Sequence, residues 1–141
     1  TSVTKIQPDF GIFDEPFLRV AGKDRSLNEV EKVMLLKRWK EPRIHFAVNC
    51  ASVSCPPLRR EAFRGDRLEE QLTEQTRLFA ASFEAAQVSG RDVEVSALFD
   101  WYASDFGGDP ISYLNLYREE ALPTNGQVTY LEYNWDLNAS S

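Results

Sequence analysis

The residues of this chain that could do chemistry concentrate between positions 45 and 55. That stretch holds the only histidine, His45, and both cysteines, Cys50 and Cys55. A cysteine acts as a nucleophile or a metal ligand in its thiolate form, which a neighbouring base or positive charge favours. The segment is therefore compatible with a nucleophilic site, a metal site or a disulfide. The non-functional alternative is that Cys50 is a small buried side chain.

A thiol-dependent hydrolase or acyl transferase needs a base within reach of its cysteine. The apolar character of 43–50 predicts a strand, and on a strand His45 and Cys50 point to opposite faces, about 16 Å apart. Cys55 follows a loop that can fold back toward His45, so Cys55 is the better geometric partner for this base. Asn49 is the nearest side chain in sequence that could orient the histidine.

The metal and disulfide hypotheses use the same three side chains. His45, Cys50 and Cys55 supply only three ligands where zinc prefers four, and their spacing lacks a tight CxxC pair, so we predict no metal site and no cofactor. Cysteines five residues apart around a loop can approach to the ~5.5–6 Å Cα separation of a disulfide. A Cys50–Cys55 bridge would fix the shape of that loop.

Aromatic and arginine side chains elsewhere give weaker candidates for a ligand site. Trp101, Tyr102 and Trp135 could line a groove on which an extended peptide or a sugar stacks, with packing in the core as the alternative. Arg59 and Arg60 follow the cysteine loop and could attract an anionic group. Their alternative is a solvated surface balanced by nearby glutamates.

The elements that must position these residues predict an α+β fold. Ser26 and Glu29 fit a capping box at the start of a helix over 27–39. The strand at 43–50 is expected at the centre of a small sheet, packed by this helix and by a second, longer one. The remaining predicted elements are a helix over 67–86, a hairpin of 87–89 and 92–95, short aromatic helices over 97–106 and 110–120, and a strand over 127–133.

Composition sets limits on the class of protein. The chain has 141 residues, 43% of them hydrophobic, and a net charge of −6. This length and apolar content suit one domain over 1–141 with its own core. The negative charge argues against nucleic-acid binding, because that binding depends on Lys and Arg neutralising phosphates. No apolar run approaches the ~20 residues of a transmembrane helix.

Five segments resemble, in order, the bacterial family called domain of unknown function 547. They are 26–31 (SLNEVE), 44–50 (IHFAVNC), 52–58 (SVSCPPL), 96–106 (SALFDWYASDF) and 130–138 (YLEYNWDLN). The last departs from the family's usual closing block, Tyr-Asp-Trp-Ser-Leu-Asn, at Asn134 and Asp136. The family's upstream helix of the Trp-Ile-Asn-x-Tyr-Asn kind is absent, so the chain is expected to lack an N-terminal portion of the family domain.

The resemblance implies a bacterial, periplasmic or secreted protein, with the cytoplasm as the alternative, and supplies no established reaction. We predict a non-catalytic binding or assembly module with a structural Cys50/Cys55 loop and an unknown protein or peptide partner. The alternative is a thiol-dependent hydrolase or acyl transferase with Cys55 or Cys50 as nucleophile and His45 as base. A likeness to papain and transglutaminase-type thiol hydrolases would be an analogy of fold only.

Overall fold

The computed structural model describes residues 2–138 and has an α+β fold, as predicted. Short 3₁₀ helices occupy the N-terminus, and a π-helix, Glu29–Leu36, runs directly into the first α-helix. The helices and strands, in chain order, are the 3₁₀ helices Val3–Lys5 and Pro8–Phe13, β1 (Leu18–Val20), β2 (Lys23–Arg25), the π-helix, α1 (Lys37–Trp39), α2 (Ile44–Ala47), α3 (Leu68–Ala80), β3 (Ala86–Ser89), β4 (Asp92–Val95), α4 (Leu98–Trp101), α5 (Pro110–Asn115) and β5 (Val128–Tyr130).

The predicted central strand at 43–50 is wrong, because this segment forms the short helix α2 followed by extended chain from Val48. Pro42 supplies a fixed φ that suits a helix start, and the carbonyls of Glu41, Pro42 and Arg43 accept the first N–H groups of the turn. The apolar run correctly indicated burial, but a short buried run does not distinguish strand from helix.

The helix predicted over 27–39 is present, although most of it has π rather than α geometry. The Ser26 hydroxyl accepts the backbone N–H of Glu29 at 3.1 Å, which is half of the predicted capping box. The carboxylate of Glu29 turns instead to the guanidinium of Arg25. The wider π-helix brings Glu31 to the same cavity as His45.

Helix α3 ends at Ala80, six residues earlier than predicted, and anchors the loop that follows the cysteines. Its buried amide Gln75 donates to the Pro57 carbonyl, and buried Gln71 binds both the Ala62 carbonyl and the Arg64 N–H. Buried amides of this kind are satisfied only when the partner backbone keeps one conformation. The loop is thereby held against α3.

Within residues 2–138 the strands form two separate sheets, and neither contains the cysteine segment. β1 and β2 make an antiparallel hairpin, whereas β3, β4 and β5 make a three-stranded sheet in which β4 and β5 are parallel. The predicted hairpin is therefore confirmed, whereas the closing strand predicted over 127–133 is formed only over Val128–Tyr130. The predicted aromatic helices begin within one residue of the expected position but end early: α4 ends at Trp101 rather than at 106, and α5 ends at Asn115 rather than at 120.

The main core is an aromatic cluster between α2, α3, α4 and the β3–β4–β5 sheet. Phe46 stacks on Phe79 with ring centroids 5.0 Å apart and on Phe106 at 5.6 Å. Phe99 packs against Phe106 at 4.7 Å. Since all four rings are buried, this cluster, which we call the aromatic core, fixes helix α2 and with it the neighbouring residue His45.

Candidate functional site

A cavity of about 600 Å³ opens beside the aromatic core. Its walls come from the N-terminal 3₁₀ segment, the π-helix, the residues after α2, helix α4 and the C-terminal segment. Seven of the side chains that the sequence singled out line it, namely His45, Asn49, Cys50, Cys55, Trp101, Tyr102 and Trp135. A concave, mostly apolar pocket with a few converging polar groups is the usual form of a ligand site.

His45 is held in the cavity wall by an acidic residue 60 positions further along the chain. Its Nε2 lies 2.8 Å from Oδ2 of Asp105, and its side chain is only 1% exposed. The imidazole lies against the ring of Tyr102, with centroids 4.0 Å apart, and near Phe106 at 5.3 Å. A carboxylate on one ring nitrogen fixes the orientation of a histidine. Asp105, rather than Asn49, has that position.

Cys50 has hydrogen-bond donors around its sulfur. Its Sγ lies 3.0 Å from the Ser52 hydroxyl and 3.4 Å from the Tyr133 hydroxyl. A hydrogen bond with the Cys55 thiol, followed by those of the two hydroxyls, holds the pKa of Cys50 well below its ordinary value despite its partial burial. Hydrogen bonds to a charged form favour that form, so Cys50 is the cysteine that ionises first.

Cys55 is the more buried of the two thiols. Its Sγ accepts the backbone N–H of Cys50 at 2.9 Å. Its hydrogen bond to Cys50 and its burial raise the pKa of Cys55 above its ordinary value. Two adjacent thiols resist double ionisation because their thiolates repel, so one proton is shared between them. Cys55 is therefore the thiol of the pair that keeps its proton.

The cysteines are free thiols, so the predicted Cys50–Cys55 disulfide is not formed in the structure. The loop keeps its shape by other means. The Asn49 side chain accepts the Ala51 N–H at 2.8 Å and donates to the Pro56 carbonyl at 2.7 Å. Ala51 itself has a positive φ of 63°, a backbone conformation that is costly for a residue with a Cβ. Asn49 therefore shapes the cysteine loop.

The C-terminal segment completes the site by pairing with that loop. Val53 donates to the Asp136 carbonyl at 2.8 Å, and Asn138 donates to the Ala51 carbonyl at 2.8 Å. These bonds bring Tyr133 and Trp135 against the cysteines and the cavity. The site is thus assembled from segments separated by more than 80 residues.

Three aromatic side chains form one face of the cavity. The indoles of Trp101 and Trp135 are nearly parallel, with centroids 5.8 Å apart, and Tyr133 packs on both at 4.9 and 4.4 Å. We call these three residues the aromatic wall. Trp101 remains 48% exposed, so its ring is available to a ligand.

The arginines of the sequence analysis lie elsewhere. Arg59 binds the carboxylates of Glu61 at 2.6 Å and Glu74 at 2.7 Å. Neither Arg59 nor Arg60 is among the residues that line the cavity. The guanidinium of Arg59 is directed to these two glutamates, and Arg60 is exposed.

Sequence reasoning missed three contributors to the site, namely Glu31, Asp105 and Tyr133. Asp105 lies 60 positions from His45, and nothing local in the sequence connects the two residues. Tyr133 stands in a segment that was assigned as strand. Among residues 2–138, no group of three or more His, Cys, Asp and Glu side chains is arranged to hold a metal ion.

The family model for the protein family of unknown function DUF547 matches residues 4–80. The chain belongs to this family. No curated protein and no solved structure matches the chain. In the part of the chain that the structure describes, no helix is long and apolar enough to cross a membrane. Export and the single-domain boundaries stay predictions.

Proposed function

We propose that the cavity is a thiol-dependent acyl-transfer site, with Cys50 as nucleophile and His45 as acid and base. The observation that supports this proposal is that one cavity surrounds both Cys50 and His45 with groups suited to acyl transfer. Cys50 is surrounded by donors that favour its thiolate, and His45 is oriented by Asp105. A nucleophile, a base and an orienting carboxylate are the parts that covalent acyl transfer requires.

In the proposed reaction the Cys50 thiolate attacks the carbonyl carbon of an ester or amide, forming a C–S bond. The C–O or C–N bond to the leaving group then breaks, and the leaving group takes a proton from the His45 imidazolium. A thioester remains on Cys50. Water or an amine attacks the thioester, His45 accepts the proton of the attacking group, and the thiolate is released.

No hydrogen bond joins His45 to Cys50 among the described residues, and both line the same cavity. A substrate seated between them would be attacked on one side by the sulfur and protonated on the other by the imidazole. This arrangement replaces the Cys55–His45 pairing that a strand at 43–50 had favoured. Cys55 takes the supporting role, since its thiol donates to Cys50.

The test is formation of an acyl-enzyme with activated esters such as 4-nitrophenyl acetate and with thioesters. We expect intact-mass measurement after an acid quench to find one acyl group, mapped to Cys50. Cys50→Ala should abolish both this adduct and turnover without unfolding the protein. Cys55→Ala, the matched control, should retain the adduct. Acylation and turnover that survive in Cys50→Ala would refute the proposal.

The aromatic wall supports a second candidate function, a binding module for a protein or peptide. The half-exposed indole of Trp101 offers a flat apolar surface at the cavity mouth, and exposed aromatic residues often anchor ligands. In this case Trp101→Ala weakens capture of the partner and leaves Cys50 alkylation unchanged. Equal peptide-array signals for the wild-type protein and Trp101→Ala would count against this binding function.

A further inference from the structure

The carboxylate of Glu31 is a charged group of the cavity that the proposed reaction does not use. Glu31 stands on the π-helix, half-buried, and lines the same cavity as His45 and Cys50. Within residues 2–138 its carboxylate has no hydrogen-bond or salt-bridge partner. Burial raises the pKa of Glu31, while the nearby His45 and Lys32 counteract that effect. A π-helix inside a longer helix frequently marks a functional position.

The charged groups around Glu31 leave the cavity negative. Asp9 and Asp14 also line it, against the single ammonium of Lys32. Asp14 accepts a hydrogen bond from the Asn28 amide at 2.7 Å, which leaves its charge in place. His45 lies near Glu31, but it is paired with the carboxylate of Asp105, so this pair adds no net positive charge to the cavity. The Cys50 thiolate adds one more negative charge.

The aromatic lining of the cavity also favours a positively charged ligand. The faces of Trp101 and Tyr102 carry the negative part of the ring quadrupole, which attracts an ammonium or guanidinium group placed over them. A negatively charged group entering this cavity would meet carboxylates, a thiolate and ring faces together. A cationic group would be stabilised by all three.

We propose that Glu31 determines substrate specificity, and that the cavity selects acyl compounds that carry an ammonium or guanidinium group. This inference rests on the proposed acyl-transfer function for its chemistry. The carboxylate of Glu31 pairs with the cation, and the aromatic faces cover its apolar stem. The carbonyl carbon is then held between Cys50 and His45.

The first experiment measures charge preference at Cys50 without requiring turnover. Bromoethylamine, iodoacetamide and iodoacetate alkylate the thiolate, each forming a C–S bond and releasing halide, and carry positive, no and negative charge. The rate at Cys50 is followed by peptide mass spectrometry and divided by the rate on the urea-unfolded chain. The thiolate fraction cancels in the ratio of the cationic to the anionic reagent.

We expect the ratio of the cationic to the anionic reagent to be larger in the folded protein than in the unfolded chain. Glu31→Gln should lower this ratio about three- to tenfold, the range for one partly screened unit charge. Lys32→Gln should raise it. Glu94→Gln removes a carboxylate from the exposed face of β4, away from the cavity, and serves as the matched control. A ratio in Glu31→Gln equal to that in Glu94→Gln would overturn the inference.

The second experiment compares aryl esters of acetyl-lysine and acetyl-norleucine, which have side chains of similar length. Glu31→Gln should lower kcat/KM for the lysine ester about tenfold and leave the norleucine ester unchanged. If neither ester acylates Cys50, the acyl-transfer proposal fails, and the alkylation ratio still tests the charge preference. If both acylate it equally in the wild-type protein, the specificity inference fails and the reaction stands.

Discussion

Two aromatic clusters lie side by side in this protein and serve different purposes. The aromatic core of Phe46, Phe79, Phe99 and Phe106 is buried, whereas Trp101 in the aromatic wall is 48% exposed. Ring separations are similar in the two clusters, between 4.4 and 6.2 Å. Equal packing between rings therefore does not mean equal contribution to folding, because stabilisation follows the area removed from water.

Helix α2 joins the two regions. Phe46 points into the aromatic core, and the preceding residue, His45, reaches the cavity. Successive side chains on a helix diverge by about 100°, so one short turn can serve both. The comparison predicts that substitutions in the core change stability and that substitutions at the cavity change chemistry.

The largest effect is expected from Phe46→Ala. This change removes a fully buried ring that contacts four other aromatic side chains, so the free energy of unfolding should fall by about 3–5 kcal/mol. Urea titration followed by circular dichroism measures it. A loss below about 1 kcal/mol would show that the aromatic core does not dominate stability.

Asp105→Asn should lower the rate of acyl transfer rather than the stability of the fold. The amide preserves size but removes the charge that orients His45, so acyl transfer should slow by about 10–100-fold, the range seen when the carboxylate that orients a metal-bound histidine is replaced. The midpoint of thermal unfolding should stay close to that of the wild-type protein. Single-turnover acylation of Cys50 gives the rate, and a rate equal to that of the wild-type protein would remove Asp105 from the proposed site.

Tyr133→Phe should change the pH dependence of Cys50. Because its pKa lies below the ordinary value, Cys50 alkylation by iodoacetamide should remain fast at neutral pH and fall only as the pH drops through this lowered pKa. Loss of the Tyr133 hydroxyl removes one donor to the thiolate and moves the profile toward higher pH. At pH values below this pKa we expect a rate about fivefold lower, the effect of losing a ~1 kcal/mol hydrogen bond, and at neutral pH nearly the same rate. Superimposable profiles would contradict the role of Tyr133.

The smallest effect on stability is expected from Trp101→Ala. Since half of the indole is already in contact with water, unfolding should become easier by less than about 1 kcal/mol. Binding of an aromatic-stacking ligand should weaken by a larger amount. Chemical denaturation and ligand titration on the same preparation compare the two, and a stability loss as large as that of Phe46→Ala would place Trp101 in the core.

The sequence by itself determined the α+β class, the family, the helix after Ser26, the hairpin around Gly90 and the concentration of reactive residues at 45–55. These depend on local signals such as caps, glycine turns and short-range apolar spacing. The sequence also placed Cys50, His45 and Trp101 among the candidates, because their side-chain types limit what they can do.

Only the tertiary structure decided how these residues meet. It replaced the strand at 43–50 by helix α2, since a buried apolar run of that length suits either structure until its neighbours are known. It paired His45 with Asp105 and surrounded Cys50 with Ser52 and Tyr133. Contacts over 60 to 83 residues leave no periodic pattern in the chain, because they arise from packing of whole elements and from loop pairing.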